Sequence, residues 1–149
     1  MTISAMFGLF KKRDTHPADT IAPLLDFIPR FEAGQFKRAI DYYNKHDNNV
    51  LPEVQALRKA LLQSGLIYGH EWARLPSTVL LKIWKNPDDL SALDAHTLQT
   101  TLTAFVRADH LSEGIVLSAM CQQGFIHVAL DRVKTLHNNN EITPILRFQ

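Results

Sequence analysis

The stretch that decides the fold is DAHTLQTTLTAFVRADHLSEGIVLSAMCQQG, Asp94 to Gly124. Leu98, Leu102, Phe105 and Val106 recur at helical spacing, and Asp94 stands where an N-cap belongs. After a short gap the pattern resumes with Ile115, Val116, Ala119 and Met120, and Ser112 is placed to cap it. The reading is two helices joined by a tight corner. Arg107 puts a cation in the last turn of the first helix, and Glu113 puts a carboxylate in the first turn of the second, each matching the exposed backbone groups there. Asp109 reaches either end. Gly114 has no side chain, so another backbone can come close.

Two kinds of chemistry suit such a corner. In the first, the Arg107 guanidinium forks onto Asp109 or Glu113 and fixes the angle between the helices. In the second, Arg107 holds an anion and one of the two acids works as acid or base, because paired carboxylates can titrate apart. The clamp is the favoured reading, since ion-pair networks are common in ordinary folds.

Working outward, Asp19 or Thr20 caps a helix whose stripe is Ile21, Leu24, Leu25, Ile28 and Phe31. Pro29 should kink or end it, and Gly34 stops it. Gln35 to Lys45 reads as a second helix, with Phe36, Ile40 and Tyr43 on one side, closed by a polar Asp47-Asn48-Asn49 turn. Pro52 opens a third helix with the face Val54, Leu57, Leu61 and Leu62, and Gly65 with Leu66 closes it. Tyr68 to Leu75 lacks a period and is read as a loop anchored by Trp72, followed by a short helix from Pro76 to Trp84 that Asn86-Pro87 ends. Gly124 breaks the sixth helix and opens a seventh through Ile126, Leu130, Val133 and Leu136. No segment sustains a two-residue alternation and no repeat emerges. The expectation is an all-α fold: one compact domain of six to seven short helices over residues 18–137, with mostly antiparallel neighbours, a flexible segment at 1–17 and a tail at 138–149.

Composition narrows the function classes. The 149 residues are 46% hydrophobic, the balance of a folded globular chain. Sixteen basic residues against 15 acidic ones leave a net charge of +1, which offers neither the basic stripe of a nucleic-acid binder nor the acidity of a nucleic-acid mimic. Cys121 is the one cysteine, so no internal disulfide forms and a reducing, cytoplasmic setting is expected. The apolar tip with Phe7, Leu9 and Phe10 precedes Lys11-Lys12-Arg13, the reverse of a secretory signal, and is read as docking on the body. The seven histidines include no pair three or four apart, so no paired-histidine metal face is expected and no cofactor is called for. Tyr42, with Tyr43, Lys37, Arg38 and Lys45, is read as an amphipathic helix face rather than a nucleic-acid shelf, because Asp41 sits among the cations. Cys121 beside Met120 is read as a buried, inert thiol.

Three phrases carry a resemblance. They are LPEVQALRKALLQSGLIYGHEWARL from Leu51 to Leu75, Asn86-Pro87-Asp88 leading into LDAHTLQTTLTAFVRADHLSEG, and Gly124 opening into FIHVALDRVKTL. Over its last two thirds the chain resembles a family of small bacterial all-α domains that carries no assigned activity. Thr103, Arg107, Asp109, Glu113 and Gly114 fit that family's corner pattern, whereas His110 and Leu111 depart from it. The resemblance supports the helical fold and adds Thr103 to the candidate site, without implying a reaction.

The functional expectation is therefore a non-enzymatic bacterial protein-interaction module of accessory, regulatory or immunity type, with another protein as partner. The alternative is a small anionic-ligand site or enzyme at the corner, with Arg107, Asp109, Glu113 and Thr103 as ligand-binding residues. Gly114, Gly124 and Trp72 are expected to be structural. No catalytic residue is assigned, and contact with nucleic acid or membrane through Lys11-Lys12-Arg13 ranks lowest.

Overall fold

The computed structural model describes residues 19–68 and 85–145. The expected N-terminal segment, the Trp72 anchor, the helix from Pro76 to Trp84 and the last four residues of the tail lie outside them. Within them the chain is all-α. Its helices are α1 (Ala22–Leu25), α2 (Ile28–Glu32), α3 (Ala39–Lys45), α4 (Pro52–Gln63), α5 (Ala95–Leu111), α6 (Ile115–Gln122) and α7 (Phe125–Asn138), with a 3₁₀ turn at Pro87–Leu90 before α5. There is no strand among the described residues. No helix there is long and apolar enough to cross a membrane.

α6 and α7 form the centre of the packing. α6 touches α3, α4, α5 and α7, while α7 touches α1, α2, α5, α6 and the 3₁₀ turn. The core between them is contributed by Leu98, Leu102 and Val106 of α5, Leu117 and Cys121 of α6, and Ile126, Leu130, Val133 and Leu136 of α7. The α7 face is the one that the sequence periodicity predicts.

Other elements differ from the expected ones for local reasons. The first helix is divided before Pro29, at Asp26 and Phe27, so that this proline falls in the first turn of α2, where a missing N–H leaves no bond unmade. The helix expected from Gln35 begins only at Ala39, after a run of turns. Leu62 on α4 is 48% exposed, so the buried stripe of that helix is Val54, Leu57 and Leu61. On α6 the buried residues are Leu117, Ser118 and Cys121, and the expected inner set of Ile115, Val116, Ala119 and Met120 is only half-buried. That helix is rotated relative to the expectation, with Ser118 turned inward and donating its hydroxyl to the Gly114 carbonyl at 2.9 Å.

Both chain directions are tied to the end of α4. Asp19 Oδ1 accepts the Ile21 and Ala22 amides and caps α1, and its other oxygen meets His137 Nε2 at 3.1 Å. Thr20 donates to the Ser64 carbonyl at 2.7 Å. The tail at 141–145 has no regular structure, but it buries Ile142, and the Ile145 amide donates to the Gly65 carbonyl. Gly65 sits at φ 81°, with Pro144 where a side chain would go.

Candidate functional site

The corner between α5 and α6 is built on one carboxylate. Asp109 continues the Leu98, Leu102, Val106 stripe by three residues, so it points into the body and is only 2% exposed. Its Oδ1 accepts the Leu117 amide at 2.8 Å. Leu117 is the third residue of α6, a position whose N–H an N-cap side chain would normally receive. The N-cap of α6 is Gly114, which has no side chain to offer, and the preceding helix supplies the oxygen instead. Asp109 Oδ2 faces Arg58 Nε of α4 at 3.4 Å. One buried carboxylate thus joins α4, α5 and α6.

The backbone of the corner follows from how α5 ends. The Gly114 amide donates back to the Asp109 carbonyl at 3.1 Å, the six-residue closure of a Schellman motif. That closure requires a left-handed residue just before Gly114, and Glu113 occupies it at φ 61°. Ser112, expected to cap the second helix, instead ends the first and donates its hydroxyl to the Asp109 carbonyl at 3.2 Å. Glu113 likewise stands between the helices rather than inside the first turn of α6. Gly114 is left-handed as well, at φ 99°. A Cβ there would overlap Val50 Cγ2, so the close neighbour is a side chain and not the backbone expected.

The expected clamp is corrected in its cation. The guanidinium paired with Asp109 is that of Arg58, from a helix distant in sequence, and not Arg107. Arg107 is half-buried and does not line the cleft described below. Thr103 is fully buried on α5, accepting the Tyr68 amide at 2.9 Å and donating to the Gln99 carbonyl at 2.8 Å. It holds the chain after α4 against α5. Gly124 takes its structural place as the left-handed N-cap of α7, at φ 90°.

A cleft of about 260 Å³ opens at this corner, between the start of α4 and the end of α5. Val50, Val54 and Gly114 provide apolar surface, and Gln55, Arg58, Asp109, His110 and Glu113 provide polar surface. Of the sequence-derived candidates, Asp109 and Glu113 share this cleft. The residues missed are Gln55, Arg58, His110 and the two valines. Arg58 was readable in principle, because an acid on the inward stripe of α5 requires a partner from another element. Next to His110 in the chain, Leu111 is 77% exposed.

Burial pushes the Asp109 carboxyl above its ordinary range, and the Leu117 amide and the Arg58 charge pull it back only in part. Burial, aided by the charge of Asp109, also pushes the Cys121 thiol far up. Among the described residues no group of three or more His, Cys, Asp or Glu could hold a metal ion. Tyr43 is buried, and Tyr42 is half-buried and stacks on His46 with ring centroids 3.9 Å apart.

A family model described as "Family of unknown function (DUF6508)" matches residues 16–139. No curated protein and no solved structure is similar to the chain.

Proposed function

We propose, from the premise that this chain belongs to the DUF6508 family of unknown function, that it is a protein-docking module whose contact surface is the cleft between α4 and α5. The observation that carries this reading is Leu111. A leucine that is 77% exposed contributes nothing to the core, and in the chain it directly follows His110, which lines a cleft with apolar surface and a polar margin. Apolar surface surrounded by polar groups is the ordinary anatomy of a protein interface. Among the described residues Leu62 is the other exposed large apolar side chain, one turn beyond Arg58 on α4. Asp109 serves the surface indirectly, by fixing α4, α5 and α6 together beneath it.

The reading is non-enzymatic. The Asp109 carboxylate is engaged by an amide and a guanidinium, which suits a brace better than proton transfer. The alternative of an anionic ligand at the corner is less well supported, because two acids, Asp109 and Glu113, line the cleft against one arginine.

The test compares the wild-type chain with Leu111→Lys in affinity capture from the native host, followed by binding of the purified candidate. The expected result is one recurrent partner that binds the wild type and not the variant, with equal melting temperatures for the two proteins. A captured set that is the same for both proteins, or no recurrent partner at all, would overturn the reading.

A further inference from the structure

We infer that the cleft between α4 and α5 receives a cationic side chain, arginine or lysine, from the docking partner. The inference rests on the docking reading above and names the chemistry of its central contact.

The charges of the cleft select the guest. Arg58 is already engaged by Asp109 across 3.4 Å, so these two largely cancel. Glu113 remains, exposed to solvent and facing the same space. An incoming anion would meet Glu113 and the already committed Arg58, whereas a cation meets a cleft lined by two acids, Asp109 and Glu113, against one arginine. The cleft therefore complements positive charge, and interfaces are arranged by such complementarity.

Its shape fits a long cationic side chain better than a free small cation. Val50 and Val54 line the cleft with apolar surface. The methylene stems of lysine and arginine cover apolar surface while the charged head stays at a polar margin. Val50, Val54 and Glu113 line the same cleft, so a stem laid along the two valines leaves its charged head on the side of the carboxylate.

The local backbone supplies a separate way to test the role of Glu113. Of the four non-glycine residues at positive φ among the described residues, Asp47, Asn48 and Asn140 belong to the types that tolerate this region, and Glu113 does not. Replacing Glu113 by glycine therefore removes the carboxylate while suiting the fold.

The experiment uses the isotope-labelled full chain and follows the backbone amides of Val54, Gly114 and Leu117 during titration with an acetylated, amidated Gly-Arg-Leu-Gly peptide. Peptides with glutamate or norleucine in place of arginine are the controls. The arginine peptide is expected to shift these amides saturably and the glutamate peptide not to. Glu113→Gln is expected to weaken the arginine peptide by about threefold or more, the scale of a partly exposed ion pair. Glu113→Gly is expected to weaken it likewise while melting no lower than the wild type, which separates lost binding from lost fold. Absence of saturable shifts, binding of the glutamate or norleucine peptide as tight as that of the arginine peptide, or unchanged binding by both Glu113 variants would overturn the inference. If Leu111→Lys abolishes partner capture while the arginine peptide fails to bind, the docking reading stands and only the cationic guest is lost.

Discussion

Asp109 caps a helix it does not belong to: its Oδ1 receives the Leu117 amide at 2.8 Å, eight residues further along the chain. The same division of labour recurs at α3, where the Ile40 amide donates to Gln122 Oε1 of α6 at 2.8 Å. In both cases a helix start without a suitable cap of its own is completed by a neighbour, so helix formation and tertiary packing depend on each other.

Substitution at Asp109 separates its two roles. Asp109→Ala leaves the buried Leu117 amide without an acceptor and is expected to destabilise by about 1–3 kcal/mol in urea denaturation. Asp109→Asn keeps an oxygen for that amide and removes the buried charge, so its loss should be the smaller of the two. Equal losses would show that the charge pair with Arg58, rather than the cap, carries the stabilisation.

The pH dependence of Asp109 runs opposite to that of Asp94. Burial raises the Asp109 pKa, so its contribution to stability is fully present below the unfolded-state value of about 3.9 and is lost as pH rises through the folded-state value. The Thr97 amide lowers the Asp94 pKa, so that contribution is present above about 3.9 and is lost as pH falls through the folded-state value. Urea titrations from about pH 3 to pH 7 on the wild type, Asp109→Asn and Asp94→Asn check this. Relative to its Asn variant, the wild type should gain stability with falling pH at position 109 and lose it at position 94.

Gly114→Ala combines two penalties. The backbone is left-handed at φ 99°, and the new Cβ would overlap Val50 Cγ2. A loss of about 2–4 kcal/mol is expected from backbone strain and overpacking together. Val50→Ala in the same chain should restore the overpacking part and leave the backbone part, and a double-mutant cycle of thermal unfolding measures the division.

Cys121 is buried, and its thiol is held far above the ordinary range by burial and by the charge of Asp109. Thiolate is the reactive form. A disulfide reagent at mildly alkaline pH should therefore leave the folded protein unmodified and label it at the rate of opening. Asp109→Ala should accelerate that labelling through lower stability. Immediate stoichiometric reaction of the folded protein would contradict this.

The all-α class was legible because the stripes on α5 and α7 are long and regular. Ile126, Leu130, Val133 and Leu136 need no tertiary information to be assigned inward, and all four are buried. The shorter α6 misled because Ile115, Val116, Ala119 and Met120 form as good an apolar stripe as Leu117 and Cys121, and packing against α3, α4, α5 and α7 decided between them. At the corner, the importance of Asp109 and Gly114 was readable from residue type and position. The identity of the cation was not, because Arg107 is two residues from Asp109 in sequence whereas Arg58 comes from a different helix. The Schellman closure was also hidden, since glutamate rarely marks a left-handed position.

The hydrogen bonds from Thr20 to the Ser64 carbonyl and from Ile145 to the Gly65 carbonyl bring both ends of the described body to adjacent residues. A circular permutant follows directly: Ile145 rejoined to Asp19 by a short linker, with new termini at the exposed Asp47–Asn49 turn, preserves the order of the helices around the ring. Because the join lies ten residues along α4 from Val54, about 15 Å at helical rise, fluorophores placed in it would report on the fold without crowding the cleft.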